Sequence, residues 1–478
     1  MKGNDSLMKR VFLVLTVFVL LVVTSCGSKE TGQTTAARGN KEEFNHFLTE
    51  IRQQEEPWTE EEIQAFEAYV QPKEYEHMFS EDEIKVLMEK KEVSKTVTSR
   101  QAAEDIELAF QLLSYAYGGY QYFGGDEVFL PIRDDILDEL ENVSEIKTYD
   151  LWKLLWDSLS PIIEDEHFYI TTNQRRTQIV NRDYLQSTYL VRDLYFDDPT
   201  GIDSQYVKRT IGPDGAITYC LAAVAQSPEN LPAKMTIEGV EYDLRWRLAK
   251  STSHSNDTYA EVFSETTVAD GRLPVIHNYS LSGDDSRMEE FVFTGASYEY
   301  KKAPALVLDL RGNNGGNANH ARLWLRYFCD KQVDGKTLTS IKLSNFHTAV
   351  FGGNGGDVGS WYYECSDGIT WDTGNSIFVL IDGNTCSAGE IFANMLTMGK
   401  QVVLVGTNTR GCLNFGNINS VYLPNSGIRL QFGSQYSIDQ SLEKTEGVGY
   451  FPDLWVEPED SLDAVVRLCN YYGLLEEN

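Results

Sequence analysis

Residues 377–396 read IFVLIDGNTCSAGEIFANML, and this stretch decides the fold. Its first part, IFVLID, is a short apolar run bounded by turn residues, which is typical of a buried strand. Its second part has the apolar spacing of a helix. The stretch therefore predicts a strand, a short turn and a helix that begins near Ser387. Free N–H groups and the helix dipole favour negative charge at such a junction.

Ser387 suits two different roles at this junction. As a nucleophile its hydroxyl would attack a carbonyl carbon, and the N–H of Ala388 would help to stabilise the oxyanion that forms. As a structural residue it would only cap the helix, since serine is a preferred N-cap residue. The stretch by itself leaves both interpretations open.

A second motif, ALVLDLRGNNGGN, occupies residues 305–317. It predicts another buried strand, followed by a turn that contains Gly315 and Gly316. Paired glycines allow positive φ angles and a close approach of backbone N–H groups to a ligand. The turn is therefore either a tight connection or a source of oxyanion donors.

The pattern around these motifs predicts an α/β core over residues 271–478. Its apolar runs PVIHNYSL, ALVLDL, IFVLID and VVLVG alternate with the helix-like segments NHARLWLRYFCD and SAGEIFANMLTM. Near-continuous apolar strands that alternate with helices are typical of a buried sheet. Residues 46–164 have helical periodicity, and residues 165–270 alternate in the way that strands do. We therefore expect a helical N-terminal region, a β-rich segment and the α/β core.

The amino terminus predicts a lipoprotein signal peptide over residues 1–25. The apolar run VFLVLTVFVLLVVTS follows Lys9 and Arg10, and it is too short to span a bilayer comfortably. Val23-Thr24-Ser25 precede Cys26 and resemble a bacterial lipobox, in which the cysteine is lipidated. Residues 26–45 are mostly small and polar, so we expect a tether between the lipid and the folded chain.

The charge balance and the cysteines limit the partners. The 478 residues include 41 Lys and Arg against 72 Asp and Glu, a net charge of −31. Binding a nucleic-acid backbone requires clustered cations, so no nucleic-acid partner is expected. Seven cysteines are present, without CxxC or zinc-ligand spacing. We expect mostly free, buried thiols, and no metal or organic cofactor.

Taken together, four blocks resemble the tail-specific, or C-terminal processing, serine protease superfamily. They are DLRGNNGG, IDGNTCSAGEIFA, VLVGTNTRGCLNFG (403–416) and EGVGYFPDLWV (446–456), in the same order and spacing. The resemblance implies a crotonase/ClpP-like protease core. It also implies that Ser387 is the nucleophile, rather than Cys386, and that Ala388, Gly315 and Gly316 supply the oxyanion donors.

The identity of the general base depends on the branch of this superfamily. In the Ser-Lys branch a lysine occupies the position that is Cys412 here. The branch similar to the tricorn core and the interphotoreceptor retinoid-binding protein implies instead that His167 is the base and that Glu446 orients it or acts as a nearby electrostatic partner. Imidazole accepts a proton at neutral pH, so this assignment is chemically sound. His320 is the reserve candidate because it lies near the Gly-Gly turn.

The sequence thus predicts a lipid-anchored, extracytoplasmic serine peptidase of the bacterial cell envelope. Its partners would be a peptide or protein substrate and the membrane that holds Cys26. Two alternatives remain: a non-catalytic ligand- or peptide-binding protein on the same fold, and a serine hydrolase of a non-peptide ester or amide.

Overall fold

A computed structural model describes residues 39–52, 56–70, 78–172, 184–252, 262–283, 286–352, 360–439 and 446–476. The predicted signal peptide, Cys26 and most of the predicted tether lie outside these ranges. The tether prediction is wrong at its end, because a helix begins at Lys41 and buries Phe44 completely. Among the described residues, no helix is both long and apolar enough to cross a membrane.

The predicted buried strands form one six-stranded sheet, here called the parallel sheet. Its order is Phe263–Val268, Leu273–Asn278, Ala305–Asp309, Ser376–Ile381, Val402–Gly406 and Leu454–Trp455. The first two strands pair antiparallel, and every later pair is parallel. The predicted core boundary at residue 271 therefore falls inside a hairpin of this sheet.

Both faces of the parallel sheet are covered, which explains why its strands are apolar throughout. Along one strand, Leu306 and Leu308 pack into one hydrophobic cluster, whereas Val307 packs into another on the opposite face. Strand side chains alternate between faces, so a strand covered on both sides must be apolar at every position. The helices of the core and C-terminus are Ser286–Thr294, Tyr298–Lys302, Ala318–Cys329, Asn345–Phe351, Ala388–Thr397 and Ser461–Tyr472, with a 3-10 turn at Pro458–Asp460.

A second sheet of five strands, here called the antiparallel sheet, joins the N-terminal region to the core. Its path is Trp361–Asp367, Lys336–Lys342, Arg429–Ile438 and Phe415–Tyr422, and Tyr169–Thr171 also pairs with Arg429–Ile438. Phe110 and Leu113 of the helical region share one hydrophobic cluster with Phe415 and Phe432 of this sheet. Residues 39–478 accordingly form one compact unit. The predicted N-terminal region is helical, but it shares its core with the antiparallel sheet.

Four of the six N-terminal helices in the described ranges begin after a residue whose side chain caps them. Thr59 and Ser80 each cap a helix, and Glu62 and Glu83 complete the capping boxes. The helices are Lys41–Ile51, Glu60–Glu67, Glu81–Met88, Ser99–Ala116, Gly125–Glu141 and Thr148–Leu159, with short paired strands at Thr96–Thr98 and Glu145–Lys147.

The β-rich segment contains a four-stranded sheet and a separate hairpin. The sheet order is Val207–Ile211, Ile217–Ala225, Ser187–Val191 and Trp246–Leu248, and the hairpin pairs Lys234–Ile237 with Val240–Asp243. A 3-10 turn at Pro228–Asn230 connects them. The β character predicted for this part of the chain is confirmed.

Candidate active site

Three sequence motifs meet at one edge of the parallel sheet. The neighbouring strands that end at Asp309, Ile381 and Gly406 run in the same direction, so the loops that follow them lie side by side. In open α/β sheets, sites form beyond the carboxyl ends of the strands. The site-bearing turns at Gly315–Gly316, at Ser387 and at Cys412 all follow these strand ends.

Buried hydrogen bonds join the first two turns. The Cys386 N–H donates to the Asn313 carbonyl oxygen (2.8 Å), and the Gly312 N–H donates to Asp382 Oδ1 (3.0 Å). Asp382 and Asn313 are both fully buried. Because a buried polar group without a partner is costly, these bonds fix the Gly-Gly turn against the Ser387 turn.

Ser387 occupies a strained position directly before the helix Ala388–Thr397. Its φ is 53° and its ψ is −121°, a combination that an L-residue rarely adopts. The Glu390 carboxylate accepts the Ser387 N–H (2.8 Å) and so supports this backbone conformation. Strained backbone is concentrated at functional sites, and a serine at a sharp strand-to-helix turn is the geometry of a nucleophile elbow.

The side chain of His167 lies beside Ser387. The distance from His167 Nε2 to Ser387 Oγ is 3.2 Å, which is within hydrogen-bond reach. Both residues are half-buried, so a substrate can approach them. Burial lowers the pKa of His167 to about 4, and a backbone hydrogen bond with Phe415 partly opposes this shift. The imidazole is therefore neutral at neutral pH and free to accept a proton.

Buried acceptors hold the segment that carries His167. The His167 N–H donates to Asp165 Oδ1 (2.7 Å), and the Tyr117 hydroxyl donates to Asp165 Oδ2 (2.9 Å). Burial raises the pKa of Asp165 to about 7. The Gln431 side chain also donates to the His167 carbonyl oxygen (3.3 Å). The helical region and the antiparallel sheet thus position the imidazole together.

Glu446 lies in the site but acts on the backbone. Its Oε1 accepts the Glu166 N–H (3.0 Å), and its Oε2 accepts the N–H groups of Leu413 (2.9 Å) and Asn414 (2.8 Å). Burial, followed by the negative charge of Asp165, raises the pKa of Glu446 well above its usual value. The carboxylate therefore joins the segment before His167 to the segment after Cys412, and none of these three bonds reaches the imidazole.

Cys412 occupies the space beside the imidazole. Its Sγ lies 3.3 Å from His167 Nε2 and 3.5 Å from Nδ1. These nearly equal distances place the sulfur over the ring, rather than in line with either nitrogen. Burial raises the pKa of Cys412 well above its usual value, so the thiol is neutral. It covers the ring as a small, polarisable group.

The backbone N–H groups that are candidates for stabilising the oxyanion differ in whether they already have a hydrogen-bond acceptor. The Gly315 N–H donates to Asn313 Oδ1 (2.9 Å), so in this structure it already has an acceptor. Gly315 instead provides clearance, because a Cβ on it would lie 2.9 Å from both Ala388 N and Ser387 Cβ. Gly316 is exposed and Ala388 is buried. Within the described ranges, no hydrogen bond engages the N–H of Ala388 or Gly316.

Sequence reasoning missed the buried Glu390 and the identity of Glu166 as the ion-pair partner of Arg410. Glu390 accepts hydrogen bonds from Thr409 Oγ1 (2.6 Å), Gly411 N (2.7 Å) and Cys412 N (2.9 Å), in addition to Ser387 N. Arg410 binds Glu166 through Nε (2.8 Å) and Nη2 (2.7 Å). A glutamate three residues after an N-cap is a capping signal that the sequence shows. The distant hydrogen-bond partners of Glu390 have no such signal in the sequence.

His320, the reserve candidate for the base, is engaged elsewhere. His320 Nδ1 contacts the Leu281 carbonyl oxygen (3.1 Å), whereas His167 is the imidazole that the structure brings to Ser387. Arg311 forms a buried ion pair with Asp309 (2.5 Å) at the end of a core strand. The described part of the chain contains no group of three His, Cys, Asp or Glu side chains placed to hold a metal ion.

Comparison with known proteins gives one family match. Residues 275–456 match the sequence profile of peptidase family S41. The matched range contains Ser387, Cys412 and Glu446 but not His167. The fold is a mixed α/β protease fold, and the chain is a serine-type peptidase. More particularly, residues 275–456 carry a peptidase family S41 domain, the domain that supports the resemblance to the tail-specific, or C-terminal processing, proteases.

Solved structures with similar folds share little sequence with this chain. A candidate peptidase from Parabacteroides merdae is 17% identical, covering 80% of this chain and 98% of its own, with a TM-score of 0.44. Mature CPAF is 14% identical over 79% and 96%, with a TM-score of 0.42. The photosystem II D1 C-terminal processing protease is 16% identical over 78% and 97%, with a TM-score of 0.40. Values this low carry no functional conclusion. No curated protein matches the chain.

Proposed function

We propose that the chain hydrolyses peptide bonds with Ser387 as the nucleophile and His167 as the general base. The observation that carries this proposal is the 3.2 Å contact between His167 Nε2 and Ser387 Oγ, at a strained serine directly before a helix. A nucleophile and a base within hydrogen-bond reach are the signature of an activated serine.

The reaction follows from these positions. Ser387 Oγ attacks the carbonyl carbon of the peptide bond, and its proton passes to His167 Nε2. The N–H groups of Ala388 and Gly316 stabilise the oxyanion of the tetrahedral intermediate. The imidazolium then gives the proton to the leaving amine, and the acyl-enzyme remains. A water molecule, deprotonated by the same imidazole, releases the second product and restores the serine.

The third group of the site differs from a simple Ser-His-carboxylate triad. With Nε2 facing Ser387, the proton of the neutral ring is on Nδ1, and the Phe415 carbonyl is the backbone acceptor that interacts with this ring. Glu446 acts indirectly, because it fixes the backbone segments on either side of the imidazole. This arrangement favours the His-containing branch of the superfamily, with Glu446 as a positioning residue.

Lipid anchoring through Cys26 is a further part of the proposal. It rests on the apolar run of residues 11–25 and on the Val-Thr-Ser-Cys sequence that ends at Cys26. Such an anchor would hold the peptidase outside the cytoplasm on a bacterial membrane. Incorporation of a labelled fatty acid into the wild-type chain, and its loss in Cys26→Ala, tests this point independently of catalysis.

The direct test of the reaction compares wild type and Ser387→Ala on casein, short peptides and simple esters. We expect peptide cleavage by wild type and a loss of at least about a thousandfold in the variant. Ester hydrolysis without peptide cleavage would favour the non-peptide hydrolase. No turnover of any substrate, together with saturable peptide binding, would favour a binding protein on this fold.

A further inference from the structure

Two cysteines flank the Ser387–His167 pair. Cys386 directly precedes the nucleophile, and Cys412 lies over the ring of His167. Both are free thiols in the described structure. A pair of thiols at a reacting centre can act together, whereas an isolated thiol cannot form an internal disulfide.

The backbone holds these two cysteines side by side. The N–H groups of Ser387 and Cys412 donate to the same atom, Glu390 Oε2, at 2.8 and 2.9 Å, so the two nitrogens are less than two hydrogen-bond lengths apart. Next to them, the Arg410 N–H donates to the Thr385 carbonyl oxygen (2.9 Å). The Cys386 and Cys412 thiols are close enough to each other to interact electrostatically.

The two thiols differ in solvent exposure, so they differ in how they can react with an oxidant in solution. Cys386 is half-buried and can be reached from solvent, whereas Cys412 is only 4% exposed. The Arg410 guanidinium is close enough to interact electrostatically with both sulfurs. Cys386 is therefore the sulfur that meets an oxidant, and Cys412 is the resolving sulfur.

We propose that Cys386 and Cys412 form a redox modification site, in which an internal disulfide switches off the peptidase. The oxidant is a small-molecule disulfide. The Cys386 thiolate attacks one of its sulfurs, a mixed disulfide forms and a thiolate leaves. Cys412 then attacks Cys386 Sγ while its proton passes to the departing sulfur, which leaves as the second thiol. Two cysteine thiols are oxidised, one disulfide is reduced to two thiols, and the two protons lost by the cysteines pass to the leaving groups.

The effect on catalysis follows from the contacts of Cys412. In the disulfide its sulfur is bonded to Cys386 and can no longer occupy its position over the imidazole. The bond also crosslinks the backbone beside Ser387 to the segment that Glu446 and Glu390 hold. A displacement of about 1 Å between nucleophile and base costs roughly a hundredfold in rate, so we expect a loss of that order.

The experiment uses the full-length chain in buffers of defined oxidised and reduced glutathione. Peptide mapping by mass spectrometry measures the Cys386–Cys412 crosslink, and kcat/KM is measured on the same samples. As the crosslinked fraction rises, kcat/KM should fall, by about a hundredfold at full crosslinking. Dithiothreitol should reverse both changes. In Cys386→Ser the ratio of reduced to oxidised activity should be close to one, whereas Cys412→Ser should form only the mixed disulfide at Cys386 and no internal crosslink. Cys365→Ser, which removes an exposed thiol, should retain the full response.

The possible outcomes separate this inference from the function on which it rests. A reduced enzyme that cleaves peptides but forms no crosslink, or keeps its activity when crosslinked, overturns the redox site alone. A reduced enzyme that is inactive overturns the proposed function, whatever the mapping shows. Inactivation that persists in Cys386→Ser assigns the effect to another residue and also overturns the inference.

Discussion

His167 Nε2 lies 3.2 Å from Ser387 Oγ, although 220 positions separate the two residues in the chain. The serine follows a strand of the parallel sheet, whereas the histidine follows the N-terminal helices. One site therefore depends on both halves of the compact unit. The helical region shares a hydrophobic cluster with the antiparallel sheet and helps to form the candidate site.

The pH dependence of kcat/KM should show a general base with a low pKa. Because burial lowers the pKa of His167 to about 4, the imidazole stays unprotonated well below the usual value of a histidine. We expect the acid limb of the profile to lie below pH ~6.5, shifted towards 4. An acid limb at about pH 6.5 or above would contradict the lowering of the His167 pKa by burial of the ring.

Removal of Glu446 should reduce stability and activity together. In Glu446→Ala, the N–H groups of Glu166, Leu413 and Asn414 lose their acceptor, and each unsatisfied buried donor costs about 1–3 kcal/mol. We expect the free energy of unfolding in urea to fall by at least about 3 kcal/mol. We also expect a lower kcat in the folded protein.

Asp105→Ala is the matched control for Glu446. Asp105, in the helical region, is also fully buried. It accepts hydrogen bonds from the backbone N–H groups of Asn425 and Ser426. It should lose stability with kcat unchanged under native conditions. Equal losses of kcat in both variants would argue against a positioning role for Glu446.

Gly315→Ala should block the site without disrupting the fold. Its φ is +94°, and the added Cβ would lie 2.9 Å from Ser387 Cβ and from Ala388 N. Gly239→Ala is the control, because Gly239 has a φ of +81° and nothing within 4 Å of its Cβ position. Both should lose about 1–2 kcal/mol through backbone strain. Gly315→Ala should lose more, because its Cβ meets backbone atoms at under 3 Å, and only this variant should lose peptidase activity. Activity retained by Gly315→Ala would show that this clearance is not needed.

The strands, the helix starts and the serine junction were predictable because their signals are local. Apolar runs identify IFVLID as a buried strand, and Thr59 and Glu62 mark a helix start within four residues. The approach of His167 to Ser387 has no local signal, and only the family resemblance pointed to it. The contacts of Glu446 were beyond prediction, since a sequence does not show which buried carboxylate meets a side chain and which meets backbone.

The cysteines show the same limit of sequence reasoning. The structure buries Cys220, Cys412 and Cys469, but Cys329 and Cys386 are half-buried and Cys365 is exposed. The expectation of mostly buried thiols was thus right for only half of them. Exposure depends on which strand lies at the edge of a sheet, and Cys365 lies on the terminal strand of the antiparallel sheet.

The stability of the protein should carry a pH signature of Asp165. Its pKa is raised to about 7 by burial, so the folded state keeps a proton that the unfolded state releases near pH 3.8. The folded state binds more protons in this window, and its contribution to the free energy of unfolding falls as pH rises from about 4 to 7. His167 contributes in the opposite direction, because its pKa is lowered.

Comparison with Asp165→Asn isolates that contribution. Urea unfolding of both proteins between pH 4 and 7 gives the difference in their free energies. We expect the stability of wild type to fall relative to the variant as pH rises across the window. A difference that stays constant with pH would mean that Asp165 is ionised throughout.

Covalent labelling of Ser387 tests the central claim most directly. The chain is treated with a fluorophosphonate, and the modified residue is identified by peptide mapping in wild type, Ser387→Ala and His167→Gln. We predict one adduct per chain, on Ser387, formed at least about a hundredfold more slowly in His167→Gln because the hydroxyl has lost its base. An adduct elsewhere, or equal rates in wild type and His167→Gln, would contradict the Ser387–His167 pair.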